Sequence, residues 1–118
     1  MLSFDQQLAA FVAATRAKAN LIKRTVGLQV LTGVVNKTPV DTGRARGGWQ
    51  VDNASPEIDQ NGAMTISKGA FAINKTPFSA NVIISNNVDY ILFLEDGSSQ
   101  QAPQGMVKRT LDEVGAQF

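Results

Sequence analysis

The chain has 118 residues, 43% hydrophobic and 18% charged, with a formal net charge of +1; this supports one domain with a modest core and is too apolar for a disordered chain. Neither cysteine nor histidine is present, which removes disulfide frameworks, thiolate metal sites and most hydrolase chemistry, because imidazole is the commonest general base and transition-metal ligand. No apolar run approaches the ~18 residues that span a bilayer, and Met1 to Gln6 lacks the basic-then-apolar order of a secretory signal, so we expect action in the cytosol or in an assembly built there, without membrane, metal or cofactor.

Ser3 followed by Gln6 is a capping box. Phe4, Leu8, Phe11, Thr15, Ala19, Ile22, Val26 and Val30 then recur at steps of three or four, which places them on one helical stripe. The spacing predicts a long helix within residues 1–35, about 50 Å from Ser3 to Val35 at 1.5 Å per residue. Gly27 and Gly33 each cost ~1 kcal/mol against alanine and mark points for a bend or break. A helix this long is expected to pack on a sheet at one end and on neighbouring subunits at the other. Pro39 ends it, since the residue before proline avoids the helical region.

Residues 36–96 read as the sheet region of a single domain spanning 1–118. Val40 to Gly48 is a loop. Trp49 with Val51, and Met64 with Ile66, alternate as short strands around the turn-rich stretch 53–62. Residues 68–79 contain Gly69 and Pro77 and are expected to protrude as a loop or hairpin, an interface arm carrying Phe71, Ile73 and Phe78. Asn81 to Ser85 is the best strand. Ile91 to Leu94 fits a buried strand or one helical turn, and periodicity does not decide. Pro103 suits a first helical turn, and Val107, Leu111, Val114 and Phe118 give a short amphipathic helix over 103–118. The expected fold is α+β: a long N-terminal helix, an antiparallel sheet of three or four strands, and a short C-terminal helix.

Two segments stand out chemically. In Pro39-Val40-Asp41-Thr42-Gly43-Arg44-Ala45-Arg46, Asp41 and Thr42 can accept backbone N–H bonds and Gly43 permits positive φ. This suits a rigid turn (Pro39, Asp41, Thr42, Gly43) better than a phosphate loop, which needs a lysine after a second glycine. In the second, Asp89 and Glu95 flank an apolar run. Such carboxylates more often pair with arginine than serve catalysis or a metal, and Arg44 or Arg46 is the natural partner for one or both, Glu95 included. Trp49 and Tyr90 are expected core or interface anchors.

In order and spacing these segments resemble the neck or tail-completion family of tailed bacteriophages, the head–tail joining proteins. The resemblance covers about residues 36–114. It rests on Pro39 to Arg44, the asparagine-to-tyrosine stretch Asn87 to Tyr90, Leu94-Glu95-Asp96-Gly97, and Gln101-Ala102-Pro103-Gln104-Gly105-Met106-Val107 opening the last helix. Two departures bear on subgroup and ring position: Gly97-Ser98 where Gly-Thr is usual, and Pro103-Gln104 where many relatives have Pro-Phe. The resemblance implies a virion structural subunit, assembled in the host cytoplasm, forming a ring with itself, six-fold favoured. It implies a head-closure or connector protein on one side and a tail terminator or tail tube on the other. Residues 1–50 carry seven basic residues against two acidic, and 51–118 four against eight, a polarity of +5 and −4. Arg16, Lys23 and Arg24 are therefore candidates to face passing DNA or a complementary partner. The main rival is a small nucleic-acid-binding module using this basic half; a second is a small carboxylate enzyme.

Overall fold

The structure, a computed structural model, describes all residues except 1, 2, 41, 53–55, 78, 98–100, 103 and 118. The architecture is α+β, with a long N-terminal helix, a two-stranded antiparallel sheet and a short C-terminal helix.

Helix α1 runs Phe4–Lys37 without interruption. The Ser3 hydroxyl accepts the Gln6 N–H at 3.2 Å and the Gln6 side chain accepts the Ser3 N–H at 2.9 Å, so two of the otherwise orphaned first-turn donors are satisfied locally. Gly27 and Gly33 do not break it. At Gly33 a Cβ would lie 2.4 Å from the Thr110 side chain, so glycine lets the last helix close on α1. Thr38 ends α1 with an extended backbone, φ −69° and ψ 126°, as Pro39 next in the chain requires.

A short turn of helix, α2 (Arg44–Gly47), leads into strand β1 (Trp49–Val51). Strand β2 (Ile84–Asn86) pairs antiparallel with it, Trp49 opposite Asn86 and Val51 opposite Ile84. The sheet has two strands, not three or four, because Met64 and Ile66 lie in helix α3 (Ala63–Lys75). The expected loop at 68–79 is likewise helical as far as Lys75. The apparent alternation of Met64 with Ile66 and of Phe71 with Ile73 is incidental. The face that matters is Thr65, Gly69 and Ile73, spaced four apart and buried. Gly69 is a crossing point: a Cβ there would meet Leu31 Cδ2 at 2.1 Å.

Ile91 to Leu94 resolves as a helical turn, α4 (Ile91–Glu95), and the chain closes with α5 (Val107–Gly115). Thr110 and Val114 form the buried side of α5, while Leu111 is exposed. Pro103 and Phe118, expected in this helix, lie outside the described residues.

The core is Leu31, Val34 and Val35 of α1 with Trp49, Val51, Ile73, Ala102 and Met106. Fully burying a side chain such as Leu31 stabilises by ~1.5–3 kcal/mol. All of α1's buried residues fall in its last two turns. Phe4 to Lys18 are exposed throughout, and the molecule measures 63 × 29 × 19 Å. Its radius of gyration, 17.6 Å, exceeds the ~13.5 Å of a compact domain this size, because α1 projects beyond the core.

Candidate assembly surface

The first motif segment holds the end of α1. The Thr38 hydroxyl donates to the Val34 carbonyl at 2.5 Å and accepts the Trp49 indole N–H at 2.7 Å. Arg46 donates to the carbonyls of Asn36, Thr38 and Gln60, at 2.9–3.3 Å. It thereby neutralises the partial negative charge at the helix C-terminus. Gly43 has φ +91°, and a Cβ would lie 2.8 Å from the Gln60 amide nitrogen. Gly43 O accepts the N–H groups of Gly47 and Asp59. Pro39 is buried, Thr42 is exposed with its hydroxyl accepting the Arg44 N–H, and Asp41 lies outside the described residues.

The second segment holds the start of α5. Glu95 makes no arginine pair: its Oε1 accepts the N–H groups of Met106 and Val107 at 2.9 and 2.8 Å, and its Oε2 that of Lys108 at 3.0 Å. Burial favours the neutral acid. The backbone N–H groups of Lys108, Val107 and Met106 and the Lys108 charge together outweigh it, holding the carboxyl below its ordinary value. Gly105, at φ +80°, is required here, since a Cβ would stand 2.4 Å from the Glu95 carbonyl oxygen. The two segments also clasp each other, the Gln101 amide exchanging hydrogen bonds with Val40 N–H and C=O at 3.0 and 3.4 Å. Arg44 instead meets Asp89 at 3.8 Å, both well exposed, and lies 5.7 Å from the Tyr90 ring centroid; such a pair contributes ~1 kcal/mol at most.

Sequence reasoning missed Asp59. Its Oδ1 accepts the Gly62 N–H and its Oδ2 both the backbone N–H and the hydroxyl of Thr65, at 2.8–3.1 Å. Burial raises its pKa, but donors from Thr65, Gly62 and Met64 win and hold it below its ordinary value. The signal was present in Asp59-Gln60-Asn61-Gly62: an acceptor and a positive-φ glycine just ahead of Ala63, which reads equally well as a plain turn.

The proposed arm residues separate. Ile73 is core, Phe71 is 63% exposed on α3 with Lys75 Nζ 4.3 Å from its ring centroid, and Phe78 lies outside the described residues. Phe71 and Ile73 thus sit on helix α3 rather than on a loop. The basic set does not converge either. Lys23 donates to the carbonyls of Pro77 and Ala80, Arg16 is exposed and Arg24 half-buried, and at about 100° per residue Arg24 lies round the helix from the other two.

The surface with several large uncovered apolar side chains in one helix is α1 itself. Leu31, Val34 and Val35 face the core. The stripe of Phe4, Leu8, Phe11, Thr15 and Ile22 lies roughly 130–175° round the helix. Phe4 is 77% and Phe11 68% exposed, and Leu8, Val12, Leu21 and Ile22 also stand open. Contiguous apolar patches of this kind mark interaction surfaces. Among the described residues no three acidic, histidine or cysteine side chains gather to hold a metal, and no helix is long and apolar enough to cross a membrane. Comparison with protein-family models, curated proteins and solved structures finds no match for this chain.

Proposed function

We propose that the chain is a structural subunit of a bacteriophage neck or tail-completion ring, joining the head-closure complex to the tail terminator or tail tube. The observation that carries this reading is the outer half of α1, a helix held out from the core with large apolar side chains uncovered. A neighbouring subunit supplies the missing cover. The two segments behind the family resemblance fit the same reading, because Arg46, Glu95, Gln101, Gly43 and Gly105 are spent on holding backbone. The polarity between a basic first half and an acidic second half suits unlike surfaces meeting around a closed cycle. Light scattering of the purified chain, alone and with a neighbouring ring protein, tests it together with imaging of the particle at the head–tail junction. The expected result is a multimer, alone or on its partner, located at the junction; a strict monomer absent from every particle refutes it.

A further inference from the structure

The turn ahead of α3 carries a covalent chemistry of its own. Asn61 is exposed, and it alone among the asparagines of this chain is followed by glycine. An asparagine carboxamide can be attacked by the backbone nitrogen of the next residue. Glycine, with no Cβ, is the residue that lets that nitrogen reach it. Such an intramolecular attack is fast only when the two atoms can approach to ~3–3.5 Å with their orbitals aligned, so the local fold decides whether it runs.

Here the fold turns both reacting groups to other partners. The Gly62 N–H donates to Asp59 Oδ1 at 3.1 Å, and the Asn61 side-chain oxygen accepts the Ala63 N–H at 2.9 Å. The backbone on either side is held as well. Arg46 Nη1 donates to the Gln60 carbonyl at 2.9 Å, and the Gly62 carbonyl accepts the Ile66 N–H at 3.0 Å. Gly62 sits at φ +81° in a space so tight that a Cβ would lie 2.5 Å from Val35 Cγ1, so this peptide cannot swing without displacing the core. To attack, the Gly62 nitrogen must also give up its proton. The Asp59 carboxyl is buried and held below its ordinary value, hence ionised at neutral pH. A negative charge against that N–H disfavours a second one on the nitrogen.

We propose that Asn61 is a self-modification site, kept shut by the Asp59 network in the folded subunit and released when the start of α3 comes undone. In the opened turn the Gly62 nitrogen loses its proton to hydroxide and bonds to Asn61 Cγ. The Cγ–Nδ2 bond breaks, and the nitrogen leaves as ammonia with a proton taken from water. One water then opens the five-membered ring at either carbonyl, giving aspartate or isoaspartate. Aspartate at this position still has an oxygen for the Ala63 N–H. Isoaspartate lengthens the backbone by one carbon between Gln60 and Gly62, which puts the Gly62 N–H out of register with Asp59. A subunit that waits open is therefore marked chemically, and a folded one is spared. The inference is independent of the ring-subunit reading.

The test incubates the whole chain in mildly alkaline buffer, folded and in guanidinium chloride. Peptide mapping by mass spectrometry follows the exchange of amide for acid at residue 61, and chromatography separates the isoaspartate product. Conversion should be at least ~tenfold slower in the folded chain, the protection given by a local opening of ~1.4 kcal/mol. Thr65→Val removes one donor to Asp59 with little change of shape and should speed conversion of the folded chain about threefold, as loss of one hydrogen bond does. Asp59→Ala removes the whole network and should speed it at least ~tenfold, with circular dichroism establishing that the variant is folded; if it is not, Thr65→Val carries the test. No conversion at Asn61 in the unfolded chain overturns the site. Folded wild type converting as fast as the unfolded chain, or faster, overturns the protection. So does a folded-state rate that Thr65→Val leaves unchanged.

Discussion

Replacing Glu95 with alanine removes the acceptor for three N–H groups at the start of α5. Each capping bond of this kind is worth ~0.5–2 kcal/mol, and a carboxylate at a helix N-terminus adds ~0.3–1 kcal/mol. The Met106 and Val107 donors are part-buried, whereas the Lys108 donor is exposed and recovers water. The net cost should be ~2–3 kcal/mol. At ~4 °C per kcal/mol for a chain of 118 residues, the melting temperature should fall by about 8–12 °C. Glu95→Gln keeps one acceptor oxygen and should cost ~1 kcal/mol. The pH dependence is a second readout. The folded chain holds the Glu95 proton less tightly than the unfolded chain, whose value is near 4.5. The stabilisation is therefore complete above that pH and drains as pH falls through the lower, folded value. The gap between wild type and Glu95→Ala, followed by circular dichroism melting, should narrow below about pH 4.5. A variant within ~0.5 kcal/mol of wild type at pH 7, or a gap unchanged down to pH 2, would show that the carboxylate does not hold the helix.

Gly47→Ala should be among the harshest single-methyl changes, costing on the order of 3 kcal/mol or abolishing folding, because its Cβ would sit 1.6 Å from the Glu57 carbonyl oxygen; a urea midpoint equal to wild type contradicts the packing. Leu31→Ala, at a site with no exposure, should cost ~2–5 kcal/mol. Phe11→Ala should leave the free subunit within ~0.5 kcal/mol while weakening assembly, and denaturant titration beside light scattering separates the two effects. Trypsin should cut the free subunit first at Arg16 and Lys18, on the exposed part of α1, and assembly should protect both; equal cutting in the two states would place the interface elsewhere.

What sequence reading recovered was what depends on near neighbours in the chain. The Ser3–Gln6 cap and the stop at Pro39 rest on contacts within a few residues, and the Trp49–Val51 strand was legible from its local alternation although its partner, Ile84–Asn86, lies far along the chain. What it missed depends on distant ones. Gly69 looks like a loop signal until Leu31 is known to cross there, and Gly33 like a helix breaker until Thr110 is placed against it. The apolar spacing of α5 pointed to Leu111, but Gly33 and the Glu95 cap turn Thr110 inward and leave Leu111 outside. Glu95 was drawn toward an arginine because a carboxylate's partners are read first as charges; three backbone N–H groups are invisible in a list of side chains. The α1 stripe was legible as apolar, but its exposure was not, since periodicity shows that a face exists without showing what covers it.

The helices also differ in how far they can stand alone. The start of α5 is closed by Glu95, eleven or more residues upstream, and the end of α1 by Arg46 beyond the turn. The start of α3 leans on Asp59, itself held against Gly43. None of these ends is satisfied until the turns around it have formed, which binds the core helices into one cooperative unit. The outer half of α1 is different: its cap is built from Ser3 and Gln6, so its start is satisfied within its own first turn. Residual, fraying helix is therefore expected near the N-terminus of the chain unfolded by denaturant in the cold, and it should fade on heating. The denatured reference state of this protein is accordingly not a featureless coil. Substitutions on the outer half of α1 act on both sides of the folding equilibrium, and their effects on stability will be smaller than the folded contacts alone suggest.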